Sequence, residues 1–477
     1  MSRTISISRR AFLQSVGGAA FLLLPRWTPG QAAPAARPRP NLVLIISDDM
    51  GYADLPRFGA DMEIPMPNID RLAAAGVTFS DAYVSGPICV PSRMGIVTGR
   101  HQARWGVYTN VYAGEPFDGF NKEKTLAEYL KAAGYATALI GKWHLCGNGR
   151  PMSGILPDKR GYDEVVIIPG GMSSYWPDAS LYRHDSENAT APEYLTDHFG
   201  KQAADFIRRQ KNDRPFFLHL AFNAVHAPLH ALDDDKAAFD EAANADRKTY
   251  AGMMRAMDRN IGRVLDALTQ GGFDDNTLVV FVNDNGGPAL TAAKHSYNQA
   301  SNAPLRGYKF DCLEGGVRTP MILRWPGRAP AGQTFSGITS SMDVAPTFLA
   351  AAGIAPPADR PMDGVDLLPF LTGAKTGDPH ASLCWQSFFG NASKAQAAIR
   401  RGQWKLWQEC DLSDGPAPDR WSLYDLSADI GESKDLNALN PEIVKRLDAE
   451  WRAWRARMKN PPAQPAEARA ARSGKEK

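Results

Sequence analysis

Cysteine is scarce in this chain: five in 477 residues, at positions 89, 146, 312, 384 and 410, with no Cys-x-x-Cys pair among them. So few thiols exclude a disulfide framework as the source of stability and leave no cysteine signature for zinc. An odd count leaves at least one thiol unpaired, while residue order alone leaves a bridge between Cys384 and Cys410 open. Net charge is also sparse, +2 from 54 basic and 52 acidic residues. That balance gives the chain as a whole no attraction for nucleic acid or an anionic membrane, so any anion site must be local. Long apolar runs are missing too. The run through Phe21-Leu22-Leu23-Leu24 is interrupted upstream by Gly17-Gly18 and ended by Pro25. It is too short and weak to span a bilayer, and no permanent membrane anchor is expected. No internal repeat is evident.

What is present is an ordinary globular composition, 44% hydrophobic and 22% charged, in a chain long enough to bury a large core. Near the start, Ser8-Arg9-Arg10-Ala11-Phe12-Leu13-Gln14 followed by the short apolar run looks like a twin-arginine export signal over residues 1–36, with cleavage near Ala33 to Ala36. It implies a bacterial protein folded in the cytoplasm, carried by the twin-arginine export machinery, and periplasmic or secreted.

Beyond it, Asn41-Leu42-Val43-Leu44-Ile45-Ile46-Ser47 reads as a strand of a parallel sheet covered on both faces. Helices around Asn68 to Ala75 and Thr125 to Ala133, and a strand at Ala136 to Ile140, give an alternating chain. Further strands are expected at Pro215 to Ala221, Thr277 to Val282 and Met321 to Trp325. The spacing of Met253/Met254, Met257, Ile261, Val264/Leu265 and Leu268 marks an amphipathic helix over Thr249 to Leu268. The fold expected is α/β, a large mostly parallel sheet sandwiched by helices over residues 37–368. From about Pro369 the texture changes to antiparallel strands, Ala398 to Trp407 and Trp421 to Leu426, with a last helix from about Pro441 to Met458. That reads as a smaller C-terminal α+β subdomain over 369–460, followed by a disordered tail, 461–477.

Polar groups follow four of the apolar runs closely: Asp48, Lys142, His226 and Asp284. Open α/β sheets bind ligands beyond the carboxyl ends of their strands, so these runs point to one composite site. Asp48-Asp49 and Asp284-Asn285 offer oxygen donors without paired His or Cys, a set that favours calcium or magnesium over zinc. Asp and Asn also end strands and cap helices, and neither pair alone settles the matter.

Cys89-Val90-Pro91-Ser92-Arg93, closed by Thr98-Gly99-Arg100, is the most specific string. Pro91 biases Val90 toward extended backbone and leaves Met94 to Val97 to continue as a helical turn. Cys89 is thereby expected just before a helix N-terminus beside Arg93, where an anion is favoured. The string resembles the signature of the formylglycine-dependent sulfatases, members of the alkaline-phosphatase-like superfamily. Further matches follow in order: Gly141-Lys142-Trp143-His144-Leu145, Phe222 to Pro228, Asn283-Asp284-Asn285-Gly286-Gly287, Leu305-Arg306-Gly307-Tyr308-Lys309 and Glu314-Gly315-Gly316-Val317-Arg318-Thr319-Pro320. A closing likeness at Leu423-Tyr424-Asp425-Leu426 and Gly431-Glu432 extends the resemblance over about residues 41 to 436. Departures are few. Val97 replaces the commoner Leu or Met, Tyr308 a commoner Gly, and Asp311-Cys312 stands where small residues are usual.

The resemblance implies a sulfuric ester hydrolase in which a formylglycine-installing enzyme oxidises Cys89 in the cytoplasm to an aldehyde whose hydrate attacks sulfur. It implies Asp48, Asp49, residue 89, Asp284 and Asn285 as ligands of Ca2+, with Mg2+ as the alternative. Arg93, Lys142 and Lys309 would neutralise sulfate, His226 would protonate the leaving alcohol, and His144 would accept a proton as the second hydroxyl expels sulfate. The substrate would be an aryl sulfate or a sulfated carbohydrate, the latter favoured by likeness around Gln102 to Val107. Trp105, Tyr108, Tyr175 and Trp176 are candidates to stack on a ring, although large aromatics more often pack in cores. Two rivals are a phosphomonoester or phosphonate-ester hydrolase of the same superfamily and a non-catalytic binder of sulfated glycans.

Overall fold

The computed structural model describes residues 38–58, 64–110, 118–146, 156–239, 244–288, 299–389, 394–411 and 420–460. The twin-arginine leader and the tail expected at 461–477 lie outside the described residues.

In chain order the strands are β1 (Asn41–Ser47), β2 (Val77–Phe79), β3 (Ala82–Tyr83), β4 (Ala136–Lys142), β5 (Glu164–Ile168), β6 (Ser180–Arg183), β7 (Ser186–Thr190) and β8 (Phe216–Ala221). They continue as β9 (Thr277–Asn283), β10 (Met321–Arg324), β11 (Gln333–Phe335), β12 (Thr339–Ser340), β13 (Leu383–Phe389), β14 (Lys394–Arg401), β15 (Trp404–Asp411) and β16 (Ser422–Asp425). Ten of them form one sheet in the order β11-β2-β10-β9-β1-β8-β4-β5-β6-β7. Its centre, β9-β1-β8-β4-β5, is parallel throughout, whereas β10 runs antiparallel to β9 and β6 to β5.

The continuous apolar run of β1 divides by alternation. Val43 and Ile45 enter one core, and Leu42, Leu44 and Ile46 enter the core on the opposite face. Helices α1 (Pro67–Ala74), α4 (Leu195–Arg208) and α5 (Ala245–Gln270) cover the first face; α2 (Cys89–Thr98), α3 (Leu126–Ala132) and α6 (Val344–Ala351) cover the second. The start of α3 carries the signals expected from its sequence: Thr125 accepts from the Glu128 backbone N–H and Glu128 returns the bond. The expected helix around Thr249 to Leu268 is the core of α5, whose Met253, Met254, Met257, Ile261, Val264 and Leu268 are all buried.

A second sheet, β13-β14-β15-β16, is antiparallel and packs Ile399, Leu406 and Leu423 against Leu447 and Trp451 of α7 (Pro441–Arg455). None of the five cysteines forms a disulfide. Cys384 lies opposite Ile399, and Cys410 opposite Ala395, with β14 between their strands. Two strand spacings and four residues of register separate them by roughly 17 Å, far beyond disulfide reach.

Candidate active site

The parallel centre of the sheet brings the carboxyl ends of β1, β4, β8 and β9 to one edge. Ser47 is level with Asn283, Ile46 with Ala221, and Ala221 with Gly141. Asp48-Asp49, Asp284-Asn285 and Lys142 therefore emerge side by side, with Lys142 the last residue of its strand and not beyond it. Gly141 makes that fit: its φ is +113°, and a Cβ there would lie 1.8 Å from the Ala221 carbonyl oxygen.

Cys89 opens α2, and the helix starts earlier than the proline suggested. Ile88 is extended, but Val90 and Pro91 are already helical. Pro91 falls in the first turn, where a backbone N–H has no intrahelical partner to lose. The Val90 N–H is satisfied by Asn110 Oδ1 at 3.1 Å, a cap from twenty residues away that no local pattern announced.

The side chains converge. Cys89 Sγ lies 3.7 Å from Asp48 Oδ1 and 3.7 Å from Lys142 Nζ, and Lys142 also bonds Asp48 Oδ2. Arg93 donates from Nε to Asp284 Oδ2 at 2.9 Å and from Nη1 to the Lys142 carbonyl at 3.1 Å. Lys309 Nζ sits 2.7 Å from Asp49 Oδ1, Asn285 Nδ2 donates to the same oxygen at 2.8 Å, and His226 Nε2 is 3.5 Å from Asp49 Oδ2. Each sequence-nominated site residue except His144 is thus linked to this cluster by a direct contact. His144 enters through the backbone turn after Lys142, at φ +58° and fully buried, with neither ring nitrogen hydrogen-bonded.

Donor atoms of Asp48, Asp49, Cys89 and Asp284 all lie within 4.8 Å of one another. That spread fits ligands placed about 2.3–2.6 Å from a hard cation. Asn285 Oδ1 is buried and without a hydrogen-bond partner, an acceptor left for a cation. Charge points the same way. Three carboxylates (Asp48, Asp49, Asp284) face three cations (Arg93, Lys142, Lys309), so the cluster needs an added ion before it carries net attraction for an anion.

Burial dominates the proton affinities. It pushes the Cys89 thiol up to about 12 against the pull of Lys142 and Lys309, so an unmodified residue 89 is a neutral thiol and a poor nucleophile. Burial with the Asp48 charge raises Asp284 to about 6 despite Arg93. At Asp49 burial is outweighed by Lys309, with His226 and Lys142 behind it, and the carboxyl is held well below the usual range. Burial lowers His226 to about 4 although Asp49 opposes it. His226 Nδ1 donates to the Ala227 carbonyl at 2.7 Å, which leaves Nε2 as the atom that gains or loses a proton.

Several supporting roles were not legible in the sequence. Tyr175 Oη donates to the carbonyls of Asn223 and His226, at 2.5 and 2.8 Å, and holds the His226 loop. Gly171 gives His144 its space, since a Cβ there would lie 2.5 Å from the imidazole. Glu314 pairs with Lys405 of β15 at 2.8 Å, anchoring the turn that follows Lys309. Of the four aromatics nominated for stacking, Tyr108 and Tyr175 are buried and Trp105 packs on Phe120; Trp176 alone stays exposed.

Comparisons with known proteins agree with this architecture. The sulfatase family model matches residues 40–354, and the model for the N-sulphoglucosamine sulphohydrolase C-terminal region matches residues 309–456. The chain is 36% identical to human N-acetylgalactosamine-6-sulfatase over 374 residues, spanning 73% of this chain and 69% of the relative. It is 33% identical to human arylsulfatase A over 457 residues, 86% of this chain and 87% of the relative. Among solved structures, Ps i-CgsB in complex with k-i-k-neocarrahexaose superposes with a TM-score of 0.79 at 34% identity, covering 89% of this chain and 94% of that one. With the family model spanning most of the chain and these relatives aligned across most of their length, the chain belongs to the sulfatase family and is a sulfuric ester hydrolase.

Proposed function

We propose that the chain releases inorganic sulfate from a sulfated carbohydrate, with residue 89 as the formylglycine hydrate and Ca2+ as the resident ion. The observation that carries this reading is the buried meeting of Cys89 with Asp48, Asp49 and Asp284 inside a ring of cations. The sugars in the names of the human N-acetylgalactosamine-6-sulfatase and of the Ps i-CgsB complex with k-i-k-neocarrahexaose support the carbohydrate.

In this reading Asp48, Asp49, residue 89, Asp284 and Asn285 hold the ion. When bound, the ion supplies Lewis-acid polarisation, and the converted residue 89 supplies the attacking hydroxyl and an internal exit for sulfate. Arg93, Lys142 and Lys309, all buried, orient and neutralise the sulfate oxygens. His226 holds the proton at Nε2 for the leaving alcohol. A bound sulfate monoester adds negative charge beside that ring and raises its proton affinity from the low value that burial imposes. His144, buried and with both nitrogens free of partners, is the proton acceptor for the second half of the reaction. Upstream, a formylglycine-installing enzyme acts in the cytoplasm. Residues 1–36 direct twin-arginine export of the folded chain to the periplasm or beyond. Residues 37–368 form the catalytic domain, and 369–460 the C-terminal subdomain.

The test is sulfate release from a panel of sulfated sugars, nitrophenyl sulfate and nitrophenyl phosphate, using protein whose Cys89 peptide has been weighed. Conversion of the thiol to the aldehyde should track activity, and Cys89→Ala should lose at least about a thousandfold in kcat. Full-rate cleavage by unconverted protein, or preference for the phosphate, overturns the reading. Added Ca2+ should raise the thermal midpoint of wild type, by about 2.7 kcal/mol of stability at a hundred times Kd. Asp284→Asn should abolish most of that rise, and an equal rise in the variant would place the ion elsewhere.

A further inference from the structure

Five large apolar side chains are strongly exposed among the described residues: Met172, Trp176, Tyr308, Phe310 and Leu439. Scattered exposed apolar residues need no explanation, but four of these five flank the reacting cluster. Tyr308 and Phe310 are the chain neighbours of Lys309, whose ammonium is 2.7 Å from Asp49. Met172 follows Gly171, which lies against the His144 ring. Trp176 follows Tyr175, the residue that bonds the His226 carbonyl.

Trp176 is also held in place. Its indole stacks on His230 with ring centres 5.3 Å apart and planes 25° from parallel, and it leans on Tyr194 at 5.9 Å. Tyr194 Oη donates to the His230 carbonyl at 2.7 Å, so the platform and the His226 loop are tied together at two tyrosines. Even so, Trp176 remains 40% exposed, and Tyr308 is 44% exposed on the Lys309 side.

The cluster opens to water at one member. The His226 side chain is 18% exposed, against 0% for Lys142, 3% for Arg93 and 7% for Lys309. A leaving alcohol must therefore meet His226, whose loop is tied to the Trp176 platform and which shares Asp49 with Lys309, the residue that Tyr308 and Phe310 flank. The pyranose ring has an apolar C–H face and a hydroxylated edge, which suits a flat indole backed by an imidazole.

We propose that Trp176, backed by His230, and Tyr308 with Phe310 form the two walls that bind the sugar ring carrying the sulfate. The proposal rests on the carbohydrate-sulfatase reading and adds the residues that select a ring over an open-chain alcohol. The walls bind substrate and take no part in the chemical step.

The test uses the full-length, modified enzyme with the best-cleaved sulfated monosaccharide of the panel and with 2-hydroxyethyl sulfate, a sulfate ester without a ring. The readout is the ratio of kcat/KM for sugar over open-chain substrate. Trp176→Ala and Tyr308→Ala should each lower that ratio about tenfold, chiefly through the sugar KM, and Trp176→Phe should recover most of the loss. Leu439→Ala, the exposed apolar residue remote from the cluster, should leave the ratio unchanged. A ratio unmoved by Trp176→Ala and Tyr308→Ala, in a wild type that cleaves sugar sulfates, overturns the walls and spares the carbohydrate reading. A wild type that cleaves aryl sulfate and no sugar overturns both. Loss of a dimer on a sizing column with an unmoved ratio would assign the patch to self-association and also overturn the proposal.

Discussion

Gly171 shows how a residue without a side chain can control a catalytic group. A β-carbon there would stand 2.5 Å from both Cε1 and Nε2 of His144, well inside van der Waals contact. The His144 ring has no hydrogen bond to resist displacement, and its backbone is already held in the left-handed region. Gly171→Ala should therefore push the imidazole aside and lower kcat about 10- to 100-fold, the scale of an ångström-sized misplacement. The thermal midpoint should fall only by the cost of overpacking, about 1–3 kcal/mol of stability, because the displaced ring gives up no hydrogen bond. Steady-state kinetics beside a melting curve checks this, and an unchanged kcat would remove Gly171 from the account of His144.

Among the elements, the β4 to β8 pairing decides where Lys142 emerges. Gly141 has φ +113° and meets the Ala221 carbonyl so closely that any β-carbon overlaps it. Gly141→Ala should pry the two strands apart and cost at least about 3 kcal/mol, from backbone strain and lost pairing together. Urea unfolding measures that loss, and activity should fall with it, since Lys142 bonds both Asp48 and Cys89. The start of α2 obeys the same local logic. Pro91 was expected to hold Val90 extended, yet a first turn needs no N–H at that position, and the Asn110 side chain stabilises the earlier start.

At the scale of the whole molecule, buried charge joins the small antiparallel sheet to the turn that bears Lys309. Lys405 Nζ is 2.8 Å from Glu314 and 3.2 Å from Glu432, and all three side chains are fully buried. Burial, opposed by Lys405 and reinforced by Glu314, pushes the Glu432 carboxyl up to about 7. A carboxyl raised in the folded state favours the protonated form. Its contribution to stability is full below the unfolded value near 4.5 and is lost as pH rises through about 7. Lys405→Met leaves Glu432 without its cation and Glu314 with Arg318 alone, and should cost about 3–5 kcal/mol at pH 8. The deficit should shrink at pH 5, where Glu432 is neutral. Denaturation of both proteins at the two pH values tests this, and a deficit that grew on acidification would contradict it.

Much of this architecture was legible in the order of residues, because parallel strands buried on both faces must be continuous apolar runs and their ends must turn polar. The run of β1, the amphipathic spacing of α5 and the strings around Cys89, Lys142, His226, Asp284 and Lys309 are local patterns of that kind. Residue order alone sets which chemical groups are available and that they stand at strand ends. Tertiary structure alone decided which of them touch. Sheet order and register bring β9, β1, β8 and β4 together, Gly171 makes room for His144, and a lysine of β15 neutralises Glu314. Tyr108 and Tyr175 went inside while Trp176 stayed out, because burial depends on volumes supplied by distant segments, which no local spacing encodes.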